Sequence, residues 1–574
     1  MKRSPCPYLV FCIVLALSAR LAGAAGLLIS VDPPSAALRD NIRAHVGDPG
    51  QRSVESLRRF APHARERARE GMRALGYYQG RVTSRVLEQK QPVLELSVTP
   101  GEPVRLRRIR IELEGEAEAL EAFQLPGRLR VEPGDVLNHD HYEGIKRFFR
   151  SRAQTHGFFD AGFRKQQLVV DPEAGHADID ILYDSGARYH LGEAVFPEDI
   201  YFEHSLLERY VRFPSGTPYH SDRLIQLNRD LRGSGYFSEV RVDADPRKAS
   251  GNRIPVEVEL NERLGHSIAT GFGFSTDVGP RLRTTWDQHY VNPYGHSQGG
   301  EVELSRPRQN LGYFYELPLN PPMTDSLRFT GSYQVEDVED TRSQRISTGA
   351  QWRSQLDSGW RQVVSLRREE DRFDVGERSD RTVLVLPGIS YNFLKRDSPV
   401  DPSSGYRLQF EASGSQRGLF SDVDILHATA EARGLVTVGE SGHRFLSRLR
   451  VGAVGTNDFD RVPPFLRFFA GGDQSVRGYG FRTLSPANED GDRVGGRFLL
   501  SGSGEYQYPV AQNWRVAAFI DQGNAFDDPG DSLKTGAGMG IRWISPVGPI
   551  RLDIARALDP PENFRLHFTM GSEL

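Results

Sequence analysis

The chain has 574 residues, a formal net charge of −4 and a hydrophobic content of 38%. This length exceeds that of one ordinary domain, so several domains are expected. The slightly acidic charge balance gives no support to nucleic-acid binding.

The first 24 residues are typical of a secretory signal. Lys2 and Arg3 give the segment a basic start, residues 8–17 are apolar, and the small residues 22–24 form a cleavage site. A membrane anchor is the alternative, but the apolar run is shorter than the ~20 residues that a spanning helix needs. Both cysteines of the chain lie in this segment, so the mature chain is predicted to lack disulfides and thiolate metal sites.

Residues 25–264 contain a threefold repeat. Its markers, Gly76-Tyr-Tyr78, Gly157-Phe-Phe159 and Gly235-Tyr-Phe237, lie 81 and 78 residues apart. Each marker follows an amphipathic stretch and precedes segments with strand character, which predicts three copies of a β-α-α-β-β unit. The predicted domain boundaries are residues 25–101, 102–186 and 187–264.

The marker residues have a structural role in each predicted unit. The glycine ends the second helix, where a left-handed conformation costs least. The aromatic pair packs that helix against the sheet, which assigns these rings to the core. A small three-stranded sheet leaves an exposed edge, and such an edge can accept a strand from another polypeptide. The unit resembles the polypeptide-transport-associated (POTRA) domain.

From residue 265 to 574 the apolar residues alternate with polar ones. In the last such segment Phe564, Leu566, Phe568 and Met570 stand opposite a face of arginine, histidine and threonine. A stretch of 310 residues, at about 19 per strand and connection, gives about 16 strands. The fold predicted for the chain is therefore tandem α+β repeats followed by an all-β transmembrane barrel of about 16 antiparallel strands. Two soluble sheets packed face to face are the alternative, because they alternate in the same way.

The most specialised segment of the chain is residues 467–480, which contains the triplet Arg477-Gly-Tyr479 among glycines and aromatic residues. Glycines allow a sharp reversal, so we expect a compact loop that seats the guanidinium against a partner, with Asp521 as that partner. An exposed loop arginine and a solvated pore carboxylate are the alternatives. The residues that alternation places inside the barrel on nearby segments are Arg515, Phe519, Asp521, Gly523, Gly538, Gly540, Arg542, Arg551 and Asp553.

An enzyme and a passive porin are the rival classes of protein. The histidines are scattered, no His-Glu-x-x-His pair occurs, and Ser501 and Ser503 lack the glycine spacing of a nucleophile elbow. The acidic segment 489–492 could attract calcium, but a surface loop explains it more simply. A porin has no evident use for three repeats. The sequence therefore predicts neither an enzyme nor a protein that carries a metal or a cofactor.

Taken together, the motifs resemble the outer-membrane protein 85 superfamily of barrel insertases and two-partner transporters. The resemblance rests on Val476-Arg-Gly-Tyr479 after Gly471-Gly472, on Phe519-Ile-Asp-Gln-Gly523 and on residues 540–554. In that superfamily the arginine–glycine loop enters the barrel and contacts its inner wall. The resemblance thus implies that Val476, Arg477, Gly478 and Tyr479 anchor the loop, that Gly471 and Gly472 form its turn, and that Phe519, Asp521 and Gly523 receive it.

Three repeats before a barrel are most similar to the TamA branch of the superfamily. That similarity implies a protein of the Gram-negative outer membrane, with periplasmic repeats that bind a TamB-like partner anchored in the inner membrane. The clients would be outer-membrane proteins of the autotransporter type, inserted or translocated beside outer-membrane lipid. Phospholipid transport with the same partner, or two-partner secretion of a polypeptide, are the alternatives that the sequence leaves open.

The resemblance also implies a lateral seam in the barrel. The barrel would open between its first strand, near residues 266–275, and its last, residues 564–570, so that substrate strands pair with an exposed edge. Gly571 beyond the last strand could help that end bend. The seam residues are Ser267, Phe274, Phe564, Phe568 and Met570.

Overall fold

The computed structural model describes residues 26–50, 52–89, 91–439, 441–545, 548–560 and 563–570. The predicted signal over residues 1–24 and the predicted bend at Gly571 lie outside the described residues. The chain divides into two compact units. The first comprises residues 1–193, 214–223 and 244–255, and the second comprises residues 194–213, 224–243 and 256–574.

The first repeat has the predicted β-α-α-β-β order. Two serines, Ser35 and Ser53, cap its helices by accepting a hydrogen bond from a backbone N–H of the first turn. The apolar faces of both helices bury against a sheet of order β1-β3-β2, in which β1 runs parallel to β3. The elements are β1 (Leu27–Val31), α1 (Ala36–Val46), α2 (Val54–Ala74), β2 (Arg81–Leu87) and β3 (Val93–Thr99).

The second repeat departs from the predicted order, because one α-helix stands between its first two strands. The expected first helix is replaced by three short 3-10 turns, at Glu116–Ala119, Glu121–Phe123 and Gly127–Leu129. Pro126 and two glycines interrupt this segment, and neither residue type supports a helix interior. The elements are β4 (Arg105–Glu114), α3 (His139–His156), β5 (Gly162–Asp171) and β6 (His176–Asp184), with sheet order β4-β6-β5.

The marker glycine ends helix α3 as predicted. Gly157 adopts the left-handed conformation with φ of 81°, and its N–H donates to the carbonyl of Ala153. Phe158 then enters the core, where it is 1% exposed and meets Phe123 edge to face at 5.4 Å between ring centroids.

The third repeat again has two helices and three strands. Its elements are β7 (His190–Val195), α4 (His204–Glu208), α5 (Ser221–Gly233), β8 (Phe237–Asp243) and β9 (Arg253–Glu262), with sheet order β7-β9-β8.

The parts of the third repeat that belong to the second unit contact the nearest connections of the barrel. The Tyr236 hydroxyl donates to the Gly295 carbonyl at 2.7 Å, and Arg209 donates to the Pro318 carbonyl at 2.9 Å. The Phe202 ring lies 5.1 Å from that of Tyr290. Burial raises the pKa of Tyr236 to about 12, so its hydroxyl remains a donor at any physiological pH.

Residues 266–570 form a closed barrel of 16 strands among the described residues, which confirms the predicted fold. Each strand pairs antiparallel with the next, and β25 returns to β10, so the alternative of two packed sheets is excluded. The strands are β10 (His266–Ser275), β11 (Gly279–Gln288), β12 (Ser297–Ser305), β13 (Arg308–Pro318), β14 (Asp325–Val338), β15 (Thr341–Gln355), β16 (Arg361–Val375), β17 (Arg378–Arg396), β18 (Gly405–Ser415), β19 (Ile425–Val438), β20 (His443–Thr456), β21 (Phe498–Ala511), β22 (Trp514–Phe526), β23 (Lys534–Ser545), β24 (Gly548–Ala557) and β25 (Phe564–Met570).

Alternation decides which side chains enter the barrel. On β22, Ile520 is 56% exposed on the outer face, whereas the next residue, Asp521, is fully buried. On β23, Met539 is 72% exposed and Arg542 only 2%. In the described part of the chain, no helix has both the length and the apolar character that a membrane crossing requires.

We expect Tyr236→Phe to loosen the contact between the third repeat and the turn at residues 289–296. Losing one hydrogen bond costs about 0.5–1.5 kcal/mol. Hydrogen exchange at the amides of that turn should therefore accelerate. Tyr201→Phe is the matched control, since its hydroxyl has no hydrogen bond among the described residues. Equal exchange in both variants would contradict a role for the Tyr236 hydroxyl.

Candidate functional site

The connection between β20 and β21, residues 457–497, folds back into the barrel. Two 3-10 turns and three isolated bridges make it compact; the bridges join Phe468 with Gly496, Ala470 with Leu484, and Ala487 with Arg493. Its apolar residues share one buried cluster with the barrel wall, which fixes the loop by burial. The loop members of that cluster are Val462, Leu466, Phe468, Ala470, Val476, Tyr479 and Leu484.

Arg477 at the tip of this loop meets Asp521 on β22. The guanidinium donates from Nε to Asp521 Oδ2 at 2.7 Å and from Nη2 to Oδ1 at 2.9 Å. The backbone N–H of Arg477 also donates to Oδ2, at 3.1 Å. Arg477 is 5% exposed and Asp521 is fully buried. The structure thus brings together the predicted loop arginine and its predicted partner in a bidentate, charge-assisted contact.

Two further carboxylates complete the surroundings of Arg477. Its Nη1 lies 2.8 Å from Glu505 Oε2 and 3.0 Å from Asp553 Oδ2. Arg542 on β23 bridges the same two carboxylates, donating to Glu505 at 2.9 and 2.8 Å and to Asp553. We call these five side chains, Arg477, Arg542, Glu505, Asp521 and Asp553, the lumenal charge cluster. It joins strands β21 to β24 to the loop.

The aromatic ring of Phe519 packs against the lumenal charge cluster. The Arg477 guanidinium carbon lies 3.3 Å from the ring centroid, so the cation sits on the aromatic ring that sequence alternation had turned inward. Ser503 donates to Asp521 at 2.6 Å and supports the carboxylate. Gly523, the third predicted wall residue, approaches β21 instead: a Cβ there would lie 2.7 Å from the Leu500 carbonyl.

Close backbone approach explains the glycines of the loop. Gly478 has φ of 97°, and a Cβ on it would lie 2.8 Å from the Ala557 nitrogen. A Cβ on Gly536 in β23 would collide with the Arg477 carbonyl. The predicted turn glycines, Gly471 and Gly472, have φ of 95° and 103°. The loop therefore reaches the wall only because both surfaces lack side chains there.

The neighbours of Arg477 in the predicted anchor are also buried. Val476 has no exposed surface, and Tyr479 is 5% exposed with its hydroxyl 3.3 Å from the Thr535 carbonyl. The N–H of Gly478 donates to Nε2 of His567 on β25 at 3.0 Å. Nε2 must therefore be the unprotonated nitrogen of that ring.

The predicted seam residues are only partly brought together. Phe274 and Phe568 meet edge to face at 5.7 Å between ring centroids. The register pairs Ser275 with Thr569, which sets Ser267 and Phe564 at opposite ends of the two strands. Met570 pairs with Ile550 of β24. Alternation predicts which face of a strand a residue occupies, but not how far two strands are shifted along one another. The sequence therefore could not predict which residues face each other across the seam.

The loop is also attached beside the seam. The backbone N–H of Asp473 donates to Asp277 Oδ2 at 2.6 Å, and Asp277 lies in the turn that follows β10. Burial first, and the neighbouring Asp473 carboxyl second, raise the pKa of Asp277 to about 7, while Arg565 acts in the opposite direction. The loop therefore contacts both the first hairpin of the barrel, through Asp277, and its last strand, through His567.

Several residues of the site were not predicted as members of it. Ser503 and Glu505 share the inward phase of β21, so alternation carried enough signal to find them. Arg542 and Asp553 were placed inside the barrel but not beside Arg477. The pairing of Asp277 with Asp473, 196 residues apart, leaves no trace in the sequence. Among the residues that the structure describes, no group of three or more His, Cys, Asp or Glu side chains could hold a metal ion.

We expect Arg477→Ala and Asp521→Ala each to destabilise the barrel, by about 3–5 kcal/mol, because each leaves a buried charge without its partner. The double variant should lose much less than the sum of the two. Denaturant unfolding of the detergent-purified protein measures these free energies. Arg417→Ala, which alters an exposed loop arginine, is the control and should have little effect. Additive losses would mean that the two charges do not act on one another.

We expect the packing of the loop beside Asp277 to weaken as the pH rises, because the ionised carboxyl is buried next to the Asp473 carboxyl. The folded pKa of Asp277, about 7, lies above the ordinary value of ~3.9, so the folded protein holds the proton more tightly. Stability should therefore fall as the pH rises from about 4 through 7, and level off about one pH unit above the folded pKa. Hydrogen exchange of residues 471–475, corrected for intrinsic rates, should be slower at pH 5 than at pH 8.

Asp277→Asn should abolish this pH dependence, whereas Asp531→Asn on an exposed turn should preserve it. An unchanged pH profile in Asp277→Asn would assign the titration to another group.

Two family descriptions match the chain. The Omp85 superfamily domain matches residues 250–574, more than half of the chain, and the description "POTRA domain TamA domain 1" matches residues 28–100. A structure of BamA from Haemophilus ducreyi lacking POTRA domains 1–3 is similar in fold. Its TM-score is 0.69 at 16% identity, over 82% of this chain and 99% of that chain.

Curated relatives are similar in sequence. The outer membrane protein assembly factor BamA of Nitratidesulfovibrio vulgaris is 25% identical over 390 residues, which cover 63% of this chain and 48% of the relative. The factor of the same name from Neisseria meningitidis is 21% identical, over 87% of this chain and 71% of the relative. The chain thus spans about half the length of the first of these relatives. The match over residues 250–574 establishes that the chain belongs to the Omp85 superfamily.

Proposed function

We propose that this chain is an outer-membrane component of a translocation and assembly module. In this role it inserts or translocates outer-membrane proteins of the autotransporter type through a barrel that opens laterally, with its POTRA domains in the periplasm of a Gram-negative cell. The observation that carries the proposal is the single ladder pair between the described residues of the first and last barrel strands. The names of the BamA relatives agree with the general role.

Among the residues that the structure describes, the first and last strands of the barrel share little backbone pairing. β10 pairs with β11 through ten residue pairs, and β24 pairs with β25 through seven. Between β10 and the described residues of β25, the ladder has one pair, Ser275 with Thr569. One hydrogen bond beyond it, from the Thr276 N–H to the Phe568 carbonyl at 3.1 Å, extends the contact. Among the described residues, this seam thus has the shortest ladder between neighbouring strands of the barrel.

The edge of β10 carries backbone groups with which an incoming strand could pair. Along residues 266–274, the described part of β25 supplies no ladder partner. Unpaired backbone groups in a bilayer cost several kcal/mol each, because no water is present to bind them. A client strand that pairs with this edge would satisfy those groups, and its other edge would template the next strand.

The lumenal loop would control this opening. It reaches Asp277 at one side of the seam and His567 at the other, while Arg477 holds its tip to β21, β22 and β24. A loop in this position ties the two sides of the seam together on the inside of the barrel. Movement of the loop and separation of the strands are therefore expected to be coupled.

The first repeat is the proposed contact with a TamB-like, inner-membrane-anchored partner. Its match to the TamA domain description supports this assignment. Its sheet, of order β1-β3-β2, has β1 and β2 as outer strands, and each carries backbone groups on one side that another strand could pair with. Strand addition is thus the proposed mode of binding at this end of the chain.

We expect a disulfide between Ser275→Cys and Thr569→Cys to block client insertion while the protein stays folded in the membrane. Directly paired residues of antiparallel strands lie about 4.5–5.5 Å apart at Cα, within the range that a disulfide bridges. Insertion of a radiolabelled autotransporter barrel into proteoliposomes measures the effect, and reduction should restore it. The control pair, Ser332→Cys with Ser347→Cys, joins β14 to β15, which need not separate.

Full client insertion by the oxidised seam variant would refute lateral opening. Lipid transfer between vesicles, measured in the same preparation, tests the alternative of phospholipid transport. If the disulfide blocks lipid transfer but leaves client insertion unchanged, lipid and not protein passes through the seam.

A further inference from the structure

A cavity lies between the lumenal loop and the barrel wall, mostly on other strands than those of the lumenal charge cluster. Its volume is about 280 Å³. The loop side consists of residues 464–469 and Arg482, and the wall side consists of residues from β16, β18, β19, β20 and β21. All of these residues are described by the structure. None of them belongs to the seam residues or to the lumenal charge cluster.

The lining of this cavity carries more positive than negative charge. Arg367, Arg450, Arg467 and Arg482 line it, against one carboxylate, that of Glu411. The hydrogen bonds of Arg467 go to backbone carbonyls of the loop, at 2.7 to 2.9 Å, so its charge has no carboxylate partner there. Such a surplus of guanidinium groups in a confined volume attracts an anion.

The ion pairs at this site are long. Arg367 lies 3.7 Å from Glu369 and 3.7 Å from Glu411, and Arg450 lies 4.0 Å from Glu431. N–H···O hydrogen bonds have donor–acceptor distances of about 2.7–3.2 Å. The carboxylates therefore balance part of the charge without using the N–H donors of these two arginines. Arg482 is the exception, since it lies 3.1 Å from Glu336.

Two buried polar atoms of the lining have no hydrogen-bond partner among the described residues. They are Nε of Arg367 and Oγ of Ser413. Ser413 is 4% exposed, so its hydroxyl is almost fully withdrawn from solvent. Buried donors are nearly always satisfied in folded proteins. An unsatisfied hydroxyl and an unsatisfied guanidinium N–H on one small cavity indicate a bound group that accepts hydrogen bonds.

We propose that this cavity binds a small oxyanion of phosphate size. A tetrahedral oxyanion presents several acceptors at once, which suits donors that converge from Arg367, Arg450 and Ser413. Drug-sized ligands occupy cavities of about 300–1,000 Å³, so this one suits an ion with a few waters. Free phosphate and the phosphate of a lipid headgroup share this chemistry.

The bound oxyanion would give the loop a second attachment. Arg477 fastens the loop to β21, β22 and β24, whereas the oxyanion would connect loop residues 464–469 and Arg482 to β16, β18, β19 and β20. The His427 ring stacks on Phe468 at 5.1 Å between centroids and already aligns the loop with β19 at this place. Binding would therefore favour the loop position seen in the structure.

Thermal unfolding of the full-length protein in detergent tests the site. Inorganic phosphate is titrated against chloride at constant ionic strength, and the wild type should show a saturable rise in midpoint. Arg367→Gln and Arg450→Gln should each weaken phosphate binding roughly tenfold, because each loses a charge-assisted hydrogen bond. Ser413→Ala should weaken it by a smaller factor, roughly threefold, because a neutral hydrogen bond contributes less.

Arg407→Gln is the matched control, because it changes an arginine of β18 that does not line the cavity, and it should bind phosphate as the wild type does. The heat-modifiable migration of a folded barrel in gels verifies that each variant is folded. Ser413→Ala leaves every charge in place, so it tests the site even where an arginine variant fails to fold.

A second arm adds phosphatidylglycerol vesicles in place of phosphate. Stabilisation by inorganic phosphate identifies the free ion as the ligand, and stabilisation by the vesicles alone identifies a lipid headgroup; either result supports an oxyanion site. Absence of stabilisation in both arms would mean that the cavity holds water only. Equal binding by the wild type, Ser413→Ala and both arginine variants would place the anion elsewhere. Each of these two results overturns the proposal.

Discussion

The ion-pair cluster around Arg477 is the interaction on which the rest of the barrel interior depends. Two guanidiniums and three carboxylates are buried together, with every charge in contact with an opposite one. Charges withdrawn from water are tolerated only when pairing and hydrogen bonds offset the loss of solvation. Since the partners come from β21, β22, β23 and β24, removing one of them leaves the others uncompensated. The position of the loop and the arrangement of these strands are therefore mutually dependent.

The same cluster also explains the composition of the surrounding wall. The loop backbone approaches β23 so closely that Gly536 admits no side chain, and the positive φ of Gly478 allows the chain to reverse against Ala557. Small residues here make room for one large, rigid cation, while the apolar side of the loop buries against Leu384, Leu386 and Leu499. Apolar burial supplies most of the adhesion, and the charges select one orientation for the loop.

The loop contacts the barrel on both sides of the seam, so the positions of the loop and of the two seam strands are linked. The seam itself has one ladder pair among the described residues. In the proposed lateral opening, the strands of this junction separate while the remaining strands stay paired. The rest of the barrel, with ladders of seven to fifteen residue pairs, stays as a rigid frame around it.

The sequence by itself determined the features that recur with a fixed period, which are the alternation of the strands and the spacing of the repeats. Alternation fixed the barrel and the inward face of Phe519, Asp521 and Arg542, since each strand side chain points to the face opposite that of its neighbours. The marker glycines at 76, 157 and 235 predicted the repeats. In the second repeat, Pro126 and the glycines at 115 and 127 replace one expected helix by short turns.

Beyond the predicted contact of Arg477 with Asp521, tertiary structure alone decided which inward residues meet. Glu505, Asp553 and Asp277 come to the loop because the shear of the barrel and the path of residues 457–497 set their distances. A period of two carries no information about the stagger of strands or the course of a long loop.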